Sequence, residues 1–275
     1  MKFPIIIQNS KKVLRRIIYY FKIWLLMSKN SFIAVMSQKK LLFIFLLAKI
    51  LRFTFFIAFL YFLVMGAESK AGYTVTQIIF FFLTFNLVDV TSQFLFREVY
   101  RFRPLVVTGD FDLILVKPFS ALFRVLLGGA DIIDLITIPP LLITIYLVGV
   151  QLEPTTLEVI IYTLLIVNSL MIATAFHIAV VSMGMITLEI DHTIMIYRDL
   201  TNLGRLPVDI YKEPLRGVLT YLIPVGIMIT QPAKVFMGFF SLWGVIVSLS
   251  FGVLSIFTAL RFWNFALKKY TSASS

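Results

Sequence analysis

Five long apolar runs constrain this chain more than any other feature. They extend from about Leu41 to Met65, Val75 to Phe96, Ile132 to Val150, Leu157 to Met185 and Val235 to Leu260. A hydrocarbon core of about 30 Å is crossed by roughly 20 helical residues, so each run can span it. The rest of the composition leaves no soluble alternative. Hydrophobic residues make up 60% and charged residues 14%, against roughly 25% charged in a soluble domain. The expected fold class is therefore an all-α, polytopic membrane protein.

Charge sets the orientation. Eleven Lys or Arg and no acid precede Glu68, whereas the remaining 14 basic residues are balanced by the 14 acids. A basic excess beside the first span marks the N-terminus as cytoplasmic. A nucleic-acid role would need that patch on a soluble fold; the phosphates it meets here are those of membrane lipids. Within residues 1–40, the stretch "KKVLRRIIYYFKIWLLMSK" at 11–29 places Lys12, Arg15, Arg16, Lys22 and Lys29 on one helical face. Leu14, Ile17, Ile18, Phe21 and Leu25 fall on the other, the pattern of a helix lying in the interface. The alternative is a ragged start to the first span. The loop "QLEPTTLE" carries two acids and no base, as an external loop does, while the basic tail from residue 263 stays inside with the N-terminus.

Two cytoplasmic ends require an even number of crossings, so one more must come from residues 187–234. Either 187–204 cross and 205–234 form a broken external hairpin, or 187–216 stay inside and 217–233 cross. The four basic and two acidic residues of 205–234 mildly favour the inside. Pro207, Pro214, Pro224 and Pro232 instead favour a broken, re-entrant path.

Several chemistries are missing. There are no cysteines, so thiol catalysis, disulfides and Cys-ligated metals are excluded. No phosphate-binding loop, hydrolase elbow, metalloprotease helix or EF-hand spacing occurs. His177 and His192 read as polar residues satisfied between helices rather than as a metal site. Intramembrane ionisable groups suggest function by default. The candidates for a translocation path are Asp89, Glu189, Asp191 and His192, with Lys49 or Arg52 as a structural partner for Asp89. Asp131 and Asp134 read as helix caps or solvated loop residues.

Two stretches carry a family resemblance. "VTGDFDLILVKPFSALFRVL", residues 107–126, resembles the G-[DE]-[FL]-D-x-x-L-x-[RK]-P-x-x-x-L-[FL] segment of ABC-2 family permeases, the membrane subunits of bacterial ABC exporters. "GRLPVDIYKEPLRGVLTYLIPVGIMITQPAKVFMG", residues 204–238, is similar to that family's P-[LV]-[DS]-I-Y-x-x-P-[LI]-R-x-x-L-T-[FY]-x-I-P stretch. The resemblance implies a six-span permease in a bacterial plasma or inner membrane, with 187–204 as a short, polar fifth span and 205–234 as an external hairpin. It implies export of an amphiphilic or hydrophobic substrate together with a second permease subunit, identical or paralogous. The catalytic part lies elsewhere: ATP and Mg belong to separate cytoplasmic ATPase subunits, and this chain holds no cofactor and is no enzyme.

The same resemblance makes residues 103–126 the surface that couples to the ATPase. Gly109 and Pro118 delimit a short lever bearing Asp110, Asp112 and Lys117, and Phe111, Leu113, Leu115 and Phe119 anchor it in a partner's groove. Two rivals make different demands. A proton-driven secondary transporter using Asp89 and Glu189 calls for inverted repeats between halves, which the sequence does not display. A membrane-embedded lipid-modifying enzyme calls for His, Asp or Arg clustered at one interface, and two separate histidines do not supply it.

Overall fold

Backbone polar groups inside a bilayer must be satisfied within the protein, and this chain meets that demand with helices. The computed structural model describes residues 3–66, 72–187 and 190–271, with side chains at 12–62, 72–187 and 190–271, and among these there is no strand. Helix α1 covers Phe3–Met36, α2 Lys39–Gly66 and α3 Val75–Phe96. A 3-10 turn, Arg97–Arg101, leads into three short helices: α4 (Phe102–Val107), α5 (Asp110–Leu115) and α6 (Ala121–Leu127). Helices α7 (Ile132–Val150) and α8 (Thr156–Thr187) follow, then the shorter α9, Ile190–Asn202. Residues 215–236 form a bent pair that includes the short helices α10 (Leu215–Gly217) and α11 (Gln231–Phe236), and α12 (Leu242–Lys269) ends the chain. Among the described residues five helices are long and apolar enough to cross a membrane, and a sixth crossing would be counted if the bent pair were one span.

Local chemistry fixes several boundaries. Thr74 and Gln77 form a reciprocal capping box at the start of α3. The Asp131 carboxylate accepts from the Ile133 amide at 2.8 Å to start α7, and Ser120 and Ser241 cap α6 and α12 in the same way. The structure moves the last span relative to the sequence expectation. Val235 and Phe236 belong to the bent pair, Gly238 turns the chain with φ +82°, and the crossing helix starts at Leu242. It runs to Lys269, so most of the expected tail from residue 263 is helix.

The long helices run between two ends of the bundle. One, the basic end, holds the close of α3, the short helices α4–α6 and the start of α9; the other, the far end, holds the start of α3 and the α7–α8 turn. Helices α8 and α12 pack along each other, and Gly252 makes that possible. A Cβ there would lie 1.9 Å from Oδ1 of Asn168, whose Nδ2 donates to the Ser248 carbonyl at 2.8 Å. Phe80, Tyr162 and Phe236 stack nearer the far end. A second core nearer the basic end contains Phe96, Phe102, Phe111 and Trp263.

Helix α1 lies across the basic end with one face on the protein. Its Tyr20 hydroxyl accepts from the Ser120 amide at 3.2 Å, its Trp24 ring meets Phe94, and its Ser28 hydroxyl accepts from the Ala130 amide. Leu14, Ile17, Phe21 and Leu26 stay exposed. The helix is longer at both ends than the expected 11–29.

Of the expected fifth span at 187–204, Ile190–Asn202 forms α9, about 20 Å at 1.5 Å per residue. Leu203–Ile210 completes the passage to the far end through two 3-10 turns. There Asp209 accepts from the Tyr73 hydroxyl, just ahead of α3, at 2.9 Å and pairs with Lys234 at 2.6 Å. The stretch between Asp209 and Lys234 therefore leaves and re-enters at one end. Its two limbs, Leu215–Leu222 and Gly226–Phe236, meet at 77°. Pro214 opens the first limb, Pro224 is buried at the bend, Pro232 sits in the first turn of α11, and Pro207 precedes the Val208–Ile210 turn. The bend reaches the interior, where the Ser169 hydroxyl donates to the Met228 carbonyl at 2.6 Å.

Candidate functional site: three short helices and a charged intramembrane cavity

Residues 102–127 fold into three short helices because the sequence interrupts them twice. Gly109, at φ +80°, adopts a left-handed turn that L side chains resist, and this re-aims the chain from α4 into α5. Pro118 follows α5 and prevents its extension. The segment is tied down from behind: Arg124 pairs with Glu98 at 2.7 Å, and Arg103 faces Asp191 at 3.5 Å.

Phe111 is fully buried. Its ring is 5.1 Å from both Phe102 and Tyr270, edge to face in each case. The expectation that Phe111 enters a partner's groove is therefore corrected: at that register the ring fixes α5 to its own protein. Burial, and then the Asp112 carboxylate beside it, push the Tyr270 phenol up from its ordinary value. What α5 and its exit present outward is Leu113, 61% exposed, Leu115 and, most of all, Val116 at 82%. Asp110, Lys117 and Pro118 are exposed around them, Phe119 only partly so. Val116 had no signal in the sequence beyond an apolar residue before a Lys-Pro pair.

The second feature is a cavity of about 480 Å³ between α2, α3 and α7, reached by Arg205 from the turn after α9. Four cations line it, Lys49, Arg52, Arg97 and Arg205, with three carboxylates, Asp89, Asp131 and Asp134. Lys49 pairs with Asp134, and Arg97 pairs with Asp131 at 3.1 Å. The Asp89 carboxylate accepts from Gln93 at 2.8 Å. Of the partners expected for Asp89, Lys49 is thus engaged by Asp134 instead, one turn inside α7. Arg205 lies over the rings of Phe56 and Phe85 at 5.6 and 5.7 Å, and its Nε is buried without a partner.

A model of the ABC-2 family transporter protein matches residues 48–274, most of the chain. The chain belongs to the ABC-2 transporter family. Comparisons with curated proteins and with solved structures returned no match.

In this ABC-2 protein the residues singled out from sequence separate into distinct places. Asp89 lines the cavity. Asp191 and His192 do not: both are exposed at the basic end, where Asp191 faces Arg103. Helix α9 starts at that end, which sets both apart from the cavity that Asp89 lines. Glu189 lies outside the described residues. His177 is a satisfied core residue on one side, its Nδ1 2.7 Å from the Ala173 carbonyl, and among the described residues no cluster could hold a metal ion. Asp131 caps a helix as expected, while Asp134 is buried and paired rather than solvated.

Proposed function

We propose that this ABC-2 family member is the permease half of an ATP-driven exporter, with α4–α6 as the lever that receives the ATPase stroke. The observation that carries the reading is the exposed apolar tip of Leu113, Leu115 and Val116 on a short helix whose other face is locked by Phe111. A soluble partner that covers this tip moves α5 as a unit with α4 and the end of α12, because Phe102 and Tyr270 hold the same ring. The basic end is then cytoplasmic, in keeping with the arginines and lysines gathered there.

A second permease subunit belongs to the same reading. Helix α2 packs loosely on the bundle: most of its residues are exposed, and Leu60 alone among its described side chains is buried. Arg198 and Asp199 on α9 are exposed. Charged groups facing lipid at that depth cost several kcal/mol each, so a protein surface that covers them is the stable arrangement. An amphiphilic or hydrophobic substrate leaving between two such protomers fits the apolar walls.

The test is co-purification of the permease with its ATPase. Leu113→Asp with Val116→Asp is expected to leave insertion and thermal stability unchanged and to weaken ATPase association at least tenfold, about 1.4 kcal/mol. Unchanged association and unchanged stimulated hydrolysis in that variant would remove the lever from the mechanism.

A further inference from the structure

The intramembrane cavity is out of electrostatic balance in a way its internal ion pairs do not remedy. Lys49 and Arg97 are committed to Asp134 and Asp131. Arg52 and Arg205 remain, with Asp89 as the one lining carboxylate outside those pairs. Asp89 faces Arg52 as well as Arg198 from α9 and is the one carboxylate acting on Arg205, so a single negative charge is shared among three arginines. Among the described residues neither Arg52 nor Arg205 forms an ion pair, and Arg205 Nε is buried with no acceptor. A guanidinium without an acceptor at membrane depth is costly, because desolvation is not offset. An anion supplies what is missing, since the planar fork of arginine matches phosphate and carboxylate oxygens.

The remaining walls specify the rest of the ligand. Phe45, Phe53, Phe56 and Phe82 line the same space. Phe45 and Ile50 on α2 and Pro140 on α7 are exposed and form its rim toward lipid. A volume near 480 Å³ lies within the roughly 300–1,000 Å³ of sites for drug-sized molecules. We infer that this cavity binds an anionic amphiphile, its phosphate or carboxylate held by Arg52 and Arg205 and its alkyl chain lying among the phenylalanines. The anion comes from a resident membrane lipid or from exported cargo; the second case rests on the permease reading above.

The experiment uses the full chain in maltoside detergent, stripped of lipid, with dodecyl phosphate as the probe and calorimetric titration as the readout. Dodecyl phosphate is expected to bind at least tenfold more tightly than dodecyltrimethylammonium. Arg52→Gln with Arg205→Gln is expected to lower that affinity at least tenfold, and Arg216→Gln, far from the cavity wall, to leave it unchanged. Should the double variant fail to fold, Thr54→Glu places an acid on the wall from loosely packed α2 and is expected to abolish the same binding. Equal affinity for the two probes, or wild-type phosphate binding in the folded double variant or in Thr54→Glu, overturns the inference. Two further measurements separate the sources: anionic lipid that stays bound through ATP turnover with the ATPase identifies a resident lipid, and probe released by turnover identifies cargo. Binding is read without the ATPase, so its loss leaves the lever proposal standing, and failure of the lever leaves this site standing.

Discussion

Lys49 carries a positive charge on α2, a helix built mainly of Phe, Leu and Ile, and its amine meets the buried carboxylate of Asp134. Asp134 has 5% of its side chain exposed and Lys49 30%, so the two ends of the pair are not equivalent. Removing the amine leaves a desolvated carboxylate, and removing both takes one charge of each sign from the cavity wall and leaves neither unpaired. Lys49→Met is therefore expected to lower stability on the order of 2–3 kcal/mol. Adding Asp134→Leu is expected to recover most of that loss. Denaturation of the four proteins in detergent completes the cycle; equal losses in the single and double variants would mean that Lys49 contributes by packing rather than by charge. The sequence offered Asp89 and Lys49 as a pair because both lie inside spans. It could not show that α7 presents Asp134 closer, since that depends on how α2 and α7 pack.

The elements most legible in the sequence were those that a single periodicity or capping signal defines. Residues 75–96 and 132–150 are helices at their expected bounds, because Thr74 and Asp131 are strong caps and the helices continue through Asp89 in one and Pro139 and Pro140 in the other. Less legible was 187–241, where half-spans and bends rest on tertiary contacts. Gly204 illustrates the difficulty. A Cβ there would lie 2.5 Å from Cδ1 of Ile229 and 2.6 Å from Cγ1 of Val225, so α9 can end against the bend of 215–236 only with glycine at this position. Both contacts are more than twenty residues away, beyond any local pattern. The same residues predict an outcome at this scale. Gly204→Leu adds a side chain to a filled space, at about 1–3 kcal/mol for overpacking, and is expected to push the bend away from α9. A cysteine pair at Thr230 and Val208, whose hydroxyl and amide are 3.1 Å apart in the native arrangement, reports the displacement. Cross-linking should be efficient with Gly204 and fall severalfold with leucine; equal yields would show that the hairpin is held elsewhere.

Across the whole molecule, orientation follows from which groups share an end. Tyr73, Asp209 and Lys234 meet at the far end, and burial followed by its hydrogen bond to Asp209 pushes the Tyr73 phenol well up from its ordinary value. The α7–α8 turn with Glu153 belongs to that end too, since Gly238 sits beside Glu158. The lever and α12's closing lysines mark the other end. Because the chain has no cysteine, one introduced at each point reads the side directly. Glu153→Cys and Lys212→Cys, both at exposed positions, are expected to react with an impermeant maleimide in intact cells. Leu113→Cys and Thr271→Cys are expected to react only after permeabilisation. If Lys212→Cys were protected from outside while Glu153→Cys reacted, then 187–210 would not traverse the bilayer and the bent pair would be the sixth crossing. Reaction at all four positions from the same side would contradict the basic-end orientation itself. With 153 and 212 outside and 113 and 271 inside, the passage through α9 and Leu203–Ile210 is the odd crossing that returns the last helix, and with it Tyr270 against Phe111, to the lever's side.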